Sequence, residues 1–202
     1  MYIPPAFAED RPDELLAIMR AASLPILISP TTSGLAATHL PLHVESPSRI
    51  IGHVARANLH WREALPNAES LAIFTAVDGY VSPTWYPSKT ETGKVVPTWN
   101  YQTVHATGRL ETIEDPSEIL KIVTTLTNQH EAGRATPWAV TDAPPDYIAA
   151  QLKGIVGLVL HVTRLEGKVK LSQNKSMADR AGVAEGAAQE NPALAAAMRR
   201  TF

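Results

Sequence analysis

The sequence contains no cysteine among its 202 residues. Disulfide bonds, thiolate chemistry and cysteine-ligated zinc or iron–sulfur centres are therefore excluded. No apolar run reaches the roughly 18 residues that a membrane-spanning helix needs, and the first residues lack the basic and apolar stretches of a secretory signal. With a formal net charge of -2, the chain has no overall excess of positive charge for nucleic acid or anionic lipid. These features predict a soluble cytoplasmic protein without a membrane partner, and they argue against direct DNA binding.

The common motifs of nucleotide binding and nucleophilic catalysis are also missing. The sequence has no G-x-G-x-x-G, no P-loop and no G-x-S-x-G elbow. Two of its histidines, His39 and His43, would share one face of a strand, but they would lie about 13 Å apart on a straight strand, too far to bind one metal ion. Few carboxylates accompany the histidines. We therefore predict no metal site and cannot name a catalytic residue.

The most distinctive stretch is residues 79–100, which contains three Pro, two Trp and two Tyr. On both sides of it, apolar residues alternate with period two, which predicts two strands. Proline fixes the backbone angle φ and aromatic rings have few rotatable bonds, so this aromatic loop should be stiff. The aromatic rings could form a platform for a flat conjugated ligand. They could equally close the end of a β-barrel.

The order of predicted elements is a helix, about six strands, two inserted helices, a returning strand and a helical tail. Residues 35–44 alternate as one strand, in which Pro41 requires an edge position or a bulge because it cannot donate a hydrogen bond to the ladder. Asp115, followed by Pro116 and Glu118, predicts the start of a helix. Successive strands with short connections favour an antiparallel sheet that closes into a barrel, with helices packed outside.

A local excess of positive charge occurs in residues 164–180. This basic segment holds five basic residues, namely Arg164, Lys168, Lys170, Lys175 and Arg180, against the two acidic residues Glu166 and Asp179. Basic side chains, hydroxyls and backbone amides are the groups that bind phosphate. The segment could contribute to a phosphate site, or it could be a solvated basic face.

Six words of the sequence, taken in order, resemble the PaiB-like FMN-binding family, whose members are described as negative transcriptional regulators within the flavin split-barrel group. The words are MYIPPAF, ATHLPL, GHVARANLHW, GYVSPTWY, VPTWNY and KLSQNKSMADRAGV. The resemblance covers residues 1–183 and implies a mainly β fold, a six-stranded antiparallel FMN-binding split barrel with flanking helices. It further implies a homodimer with FMN at or near the dimer interface.

The matching words also imply which residues contact the flavin. These are His39, Leu40, Pro41, Ala55, Arg56, Ala57, Asn58, Ser82, Trp85, Tyr86, Lys89, Trp99, Asn100, Gln173, Asn174 and Lys175. Within this set we expect Arg56 and Lys89 to supply charge for the phosphate. We expect Trp85 or Trp99 to stack on the ring system.

The function implied by the resemblance is a redox or metabolic sensor that uses bound FMN. An alternative is an FMN-dependent oxidoreductase that takes a hydride from a reduced nicotinamide. A haem protein with His39, His43 or His161 as the axial ligand is a third hypothesis.

The last residues, 184–202, form an alanine-rich segment outside the resemblance, which we predict to be a helical tail that follows the split-barrel domain of residues 1–183. A helix from Pro192 to Arg200 is too short to be stable alone. We expect it to dock on a neighbouring subunit or to fray.

Overall fold

The computed structural model describes residues 1–202. Its strands are β1 (Ala8–Glu9), β2 (Ile26–Thr31), β3 (Gly34–His39), β4 (Leu42–Ser46), β5 (Arg49–Ala55), β6 (Glu69–Val81), β7 (Thr98–Ile113) and β8 (Ile155–Lys170). Its helices are α1 (Pro12–Ala21), α2 (His60–Glu63), α3 (Ser88–Thr92), α4 (Pro116–Glu131), α5 (Pro145–Leu152), α6 (Met177–Glu190) and α7 (Pro192–Arg199). Three short 3-10 turns span Pro5–Phe7, Pro83–Trp85 and Val140–Asp142.

The strands form one sheet in the order β3-β2-β6-β7-β8-β5-β4, and β1 pairs with β8. The pairs β1–β8, β2–β3, β2–β6, β4–β5 and β5–β8 are all antiparallel. A mainly β fold with an antiparallel sheet and flanking helices is therefore confirmed. The sheet contains eight strands, however, and not the six that we expected. None of the helices is long and apolar enough to cross a membrane.

Two compact units divide the chain. Unit 1 comprises Met1–Ala22, Thr75–Val104 and Glu166–Phe202, and unit 2 comprises Ser23–Phe74 and His105–Leu165. The long strands β6, β7 and β8 contribute residues to both units.

The core of unit 1 includes the C-terminal helices. Leu194, Ala195, Ala197 and Met198 of α7 are buried, and Asn191 caps the helix and also donates from Nδ2 to the carbonyl of Asp78 at 2.8 Å. The expectation that this segment frays or docks on another subunit is therefore wrong. Gly79 explains the docking, because a Cβ at this position would lie 2.8 Å from Leu194 Cδ2. The apolar face of α7 thus finds its partner on β6 of the same chain.

In unit 2, α4 packs on the sheet through Ile122 and Leu126, which contact Ile51 and Val159. The predicted start of this helix is confirmed, since Asp115 Oδ1 accepts from the backbone N–H groups of Ser117 and Glu118 at 2.9 and 3.0 Å.

The predicted strand over residues 35–44 is divided in two. Strand β3 ends at His39 and β4 begins at Leu42, with Pro41 between them. Proline cannot donate a ladder hydrogen bond, and here it ends the pairing altogether instead of producing a bulge. His39 and His43 consequently belong to different strands.

Candidate functional site

In unit 1, the aromatic loop and residues 170–175 line a common cavity of about 190 Å³. These residues begin the word KLSQNKSMADRAGV, and we call them the KLSQNK word. We call it the lysine cavity because Lys170 and Lys175 both line it. Its other lining residues are Phe7, Tyr86, Val96, Pro97, Thr98, Asn100, Ser172 and Asn174. Four of the residues that the sequence predicted to contact flavin, namely Tyr86, Asn100, Asn174 and Lys175, are thus brought together. Sequence reasoning omitted Lys170 from that set, although it had placed Lys170 in the basic segment.

A turn at Ser172 lines the lysine cavity, and side-chain hydrogen bonds fix its conformation. Ser172 is buried with a φ of 66°, in the left-handed region that non-glycine residues rarely adopt. The Asn100 side chain, itself buried, holds this serine, because its Nδ2 donates to Ser172 Oγ at 3.0 Å. The same turn places Lys175, whose backbone N–H donates to the Ser172 carbonyl at 3.0 Å. Asn100 therefore both lines the cavity and stabilises the turn through Ser172.

Lys170 and Tyr86 present polar atoms at this cavity. Lys170 Nζ donates to Thr98 Oγ1 at 2.6 Å and to the Trp99 carbonyl at 2.7 Å. Burial lowers the pKa of the Lys170 ammonium, and the charge of Lys168 adds a smaller effect in the same direction. Burial raises the pKa of the Tyr86 hydroxyl. The nearby Ser172 hydroxyl lowers the pKa of Tyr86 by a smaller amount. The distance and angles between the two hydroxyls do not, however, meet those of a hydrogen bond.

The two candidate stacking residues have different environments. Trp85 packs on α6, where a Cβ at Gly186 would lie 2.4 Å from its Cγ and Cδ1 atoms, so the helix covers part of its ring. Trp99 is 49% exposed, donates from Nε1 to Asp78 Oδ2 at 2.9 Å, and meets the Tyr80 ring edge-on at 6.3 Å. Of the two indoles, Trp99 offers more free surface to a ligand.

Three further predicted residues of unit 1 lie outside the lining of the lysine cavity. Ser82 Oγ accepts from the backbone N–H of Thr84 at 3.2 Å and so begins the 3-10 turn of the aromatic loop. Lys89 is exposed on α3. The Gln173 amide accepts from the Leu171 N–H and donates to the Val169 carbonyl, both at 2.7 Å. Ser82 and Gln173 therefore stabilise the local backbone.

In unit 2, the Arg56 side chain is hydrogen-bonded to other residues of the protein. Its guanidinium donates to the carbonyls of Lys153 and Ile155 at 2.9 and 3.2 Å and to the Glu114 carboxylate at 2.6 Å. The Trp61 indole donates to the Arg56 carbonyl at 3.1 Å. The structure thus gives the expected phosphate residue Arg56 a carboxylate partner and two carbonyl partners within the protein.

Asn58 belongs to a chain of polar side chains that we call the His60 network. Asn58 Nδ2 donates to Thr38 Oγ1 at 3.2 Å, and His60 bridges Thr38 Oγ1 and Ser29 Oγ at 2.8 and 2.7 Å. Ser29 then meets Ser70 at 2.7 Å. Burial lowers the pKa of His60, which favours the neutral ring in this network. His60 is absent from the set of residues that the resemblance places against the flavin, although it lies within the GHVARANLHW word.

The remaining predicted residues of unit 2 lie at or just after the ends of β3 and β5. Leu40 is buried, and a Cβ at Gly52 would lie 3.0 Å from the Pro41 carbonyl, so the words ATHLPL and GHVARANLHW pack together. His39, Ala55 and Ala57 are exposed at strand or loop ends. The other histidines considered for haem have partners, since His43 bonds Gln129 and His161 bonds Glu111.

The lysine cavity fits one end of FMN. It offers two ammonium groups, a buried tyrosine hydroxyl without a hydrogen-bond partner and no carboxylate, which suits an anion. Its volume of about 190 Å³ is below the roughly 300–1,000 Å³ of pockets that enclose whole ligands. The residues present therefore match the phosphate end of the molecule and would enclose part of it.

Two solved structures with a similar fold are a flavocytochrome and an FAD- and heme-binding protein. The chain aligns with the flavocytochrome Anf3 of Azotobacter vinelandii at a TM-score of 0.60 and 17% identity, covering 81% of this chain and 69% of that one. It aligns with the FAD and heme binding protein of Mycobacterium smegmatis at a TM-score of 0.59 and 16% identity, covering 81% and 73%. These likenesses define the fold as that of the split-barrel proteins, and the family match over residues 1–164 makes the class flavin-binding.

Residues 1–164 match the family model described as "Putative FMN-binding domain". The chain is also 31% identical to "Protease synthase and sporulation protein PAI 2" of Bacillus subtilis, over 95% of this chain and 92% of the relative. An uncharacterized protein of Emericella nidulans is 28% identical over 92% of this chain and 90% of its own length. The chain belongs to the PaiB-like FMN-binding family, as the six words predicted, and its cofactor is FMN.

Proposed function

We propose that this protein is a homodimeric FMN-binding regulator in which the flavin reports the redox or metabolic state of the cell. The observation that carries the proposal is the meeting of the aromatic loop and the KLSQNK word around the lysine cavity, in a chain of an FMN-binding family. Bound FMN supplies reversible one- and two-electron transfer. The chain's own residues bind and orient it, through the cations of the lysine cavity and the exposed ring of Trp99.

The size and surroundings of this cavity support the homodimer. Because the cavity is smaller than the ligand, further protein surface is needed to enclose the flavin. Unit 1 also exposes large apolar side chains near it, among them Val96 at 69% and Trp99 at 49%. A second copy of the chain that covers these residues would bury them and complete the site. Sedimentation analysis of the FMN-loaded protein should give a dimer, whereas a monomer with bound FMN would contradict this part of the proposal.

Regulation would act through a ligand or a partner protein and not through direct binding to DNA. The formal net charge of -2 provides no general attraction to a polyanion. A gel-shift assay with the upstream region of its own gene should show no tight binding by the purified protein. Tight, salt-sensitive binding would overturn this view. The cytoplasmic location stays a prediction.

An FMN-dependent oxidoreductase is the second candidate function, and the exposed aromatic pair of Trp99 and Tyr80 favours it. This pair leaves planar surface on which a nicotinamide ring could stack next to the flavin. Anaerobic addition of NADH or NADPH to the FMN-loaded protein separates the two functions. Rapid bleaching of the flavin band would favour the oxidoreductase. A band that persists with both nucleotides but bleaches with dithionite would favour the sensor.

The first test of either function is a titration of the protein with FMN, followed by visible absorption and flavin fluorescence. We expect saturable binding with a perturbed flavin band and a dissociation constant in the micromolar range or below. Absence of binding at tens of micromolar would contradict both candidate functions while leaving the fold unchanged.

A further inference from the structure

The charges around the lysine cavity are unbalanced. Its ten lining residues include two ammonium groups and no carboxylate. The larger cavity of unit 1 differs, because Arg11 and Arg200 line it together with Glu9 and Glu14. Burial and, to a smaller extent, the nearby Asp179 raise the pKa of Tyr86, but Asp179 does not line the cavity and accepts from Ser88. Two cations that line a cavity without a carboxylate create a local positive potential that favours a negatively charged ligand.

Lys170 and Lys175 both retain donor capacity. Two hydrogen bonds, to Thr98 and to Trp99, occupy Lys170 Nζ, and an ammonium group has three N–H donors. The Lys175 ammonium makes no ion pair and lies 5.5 Å from the centroid of the Tyr86 ring. Burial disfavours the charged form of Lys170, and a bound anion would favour it again. A bound anion would therefore stabilise the ammonium form of Lys170, and Lys175 lines the same cavity and can donate to the same anion.

Tyr86 adds a neutral donor. Its side chain is 2% exposed, and its hydroxyl has no hydrogen-bond partner. A tyrosine hydroxyl is protonated at neutral pH, and burial raises its pKa further, so it can donate its proton to an acceptor in the cavity. A buried hydroxyl without a partner is unfavourable, so a ligand oxygen that accepts its proton would gain affinity.

We infer that the lysine cavity is a phosphate site in which Lys170 Nζ, Lys175 Nζ and the Tyr86 hydroxyl contact the oxygens of a phosphomonoester. Two sources share this chemistry, the terminal phosphate of FMN and the phosphate of a separate small ligand. The first source rests on the proposed function, and the second does not. The assignment replaces Arg56 and Lys89, which the sequence indicated, by two lysines of the basic segment.

A comparison of FMN with riboflavin tests the assignment, because riboflavin has the same ring system and no phosphate. We expect Lys175→Gln and Lys170→Gln each to weaken FMN binding about tenfold or more, the typical effect of losing a charge-assisted hydrogen bond. Riboflavin binding should change less than about twofold. Lys94→Gln is the matched control, since Lys94 is an exposed lysine of the aromatic loop, between α3 and β7, and does not line the cavity.

Tyr86→Phe gives a second, independent readout. It keeps the buried ring and removes only the hydroxyl without a partner, so the melting temperature of the free protein should stay the same or rise. The affinity for FMN should fall about threefold to tenfold while that for riboflavin stays constant. A fall in melting temperature with no change in the ratio of the two affinities would assign the hydroxyl a structural role and contradict the inference.

Inorganic phosphate distinguishes the two sources. If FMN binding is unaffected by the lysine substitutions, but phosphate raises the melting temperature of the wild type and not of Lys175→Gln, a separate phosphorylated ligand occupies the cavity. If the wild type binds no FMN, the proposed function fails, and lysine-dependent stabilisation by phosphate still supports the site. The inference is overturned if neither ligand shows a lysine-dependent effect, or if both substitutions weaken FMN and riboflavin equally.

Discussion

The His60 network of unit 2 and the lysine cavity of unit 1 use polar side chains in opposite ways. In unit 2, Arg56 is neutralised by Glu114 and bound to two carbonyls, and His60 has a partner at each ring nitrogen. In unit 1, Lys175 has no ion pair and the Tyr86 hydroxyl has no partner. Polar groups that satisfy one another stabilise a fold, while polar groups left unsatisfied at a cavity are available to a ligand.

Replacement of His60 by leucine should have the largest effect on stability. It would remove both ring hydrogen bonds and leave Ser29 without one of its buried partners, at a cost of about 2–4 kcal/mol in the free energy of unfolding. Urea denaturation at pH 7.5 measures this cost. Lys175→Gln in unit 1 should change the same free energy by less than about 0.5 kcal/mol. Equal losses in the two variants would remove the distinction between the units.

What the sequence could predict was local. The start of α4 depends on the neighbouring residues Asp115, Ser117 and Glu118, and the strands depend on alternation within short runs. The role of Arg56 depends on the carbonyls of Lys153 and Ile155, which are 97 and 99 residues away in the chain. A local sequence pattern cannot show whether a basic side chain within one of the six words bonds to such distant partners or lines a cavity.

The same reason explains the residues that sequence reasoning omitted. Lys170 follows the alternation of β8 like any strand residue, and only the pairing with Thr98 and Trp99 places its ammonium at the lysine cavity. The docking of α7 requires that residue 79 has no side chain, because Leu194 occupies that space. Helix propensity cannot reveal such a contact. The six words indicated the aromatic loop and the KLSQNK word as parts of the site. Contacts between residues far apart in the chain then determine what each side chain does.

Replacement of Gly186 by valine should have the next largest effect, and it would disturb unit 1 without touching the lysines. A Cβ at this position would lie 2.4 Å from the Trp85 ring, so the aromatic loop or α6 must shift. Overpacking of this kind costs about 1–3 kcal/mol, and we expect about 2 kcal/mol together with a changed tryptophan emission spectrum. Gln189→Val introduces the same side chain at an exposed position of α6 and should cost less than about 1 kcal/mol. An unchanged spectrum in Gly186→Val would contradict the packing of Trp85 on α6.

The smallest effect should be the dependence of stability on pH, which comes from the scaffold histidines. Burial lowers the pKa of His60 and of His53 in the folded protein below the usual value of 6.5. As the pH falls below 6.5, the unfolded chain takes up protons that the folded protein does not bind, so the free energy of unfolding decreases. The decrease ends once the pH is below the folded pKa values, and each group contributes at most about 1.4 kcal/mol per pH unit.

Urea denaturation between pH 7.5 and pH 5.0 measures this slope. His60→Gln removes one of the two histidines whose pKa is lowered, so its stability should vary less with pH than that of the wild type, whatever its stability at pH 7.5. His130→Gln changes an exposed histidine on α4 and should keep the wild-type slope. A wild-type slope in His60→Gln would show that protonation of the His60 network does not destabilise the fold. The polar chain of unit 2 would then tolerate a charge, and its contrast with the lysine cavity would rest on hydrogen bonding alone.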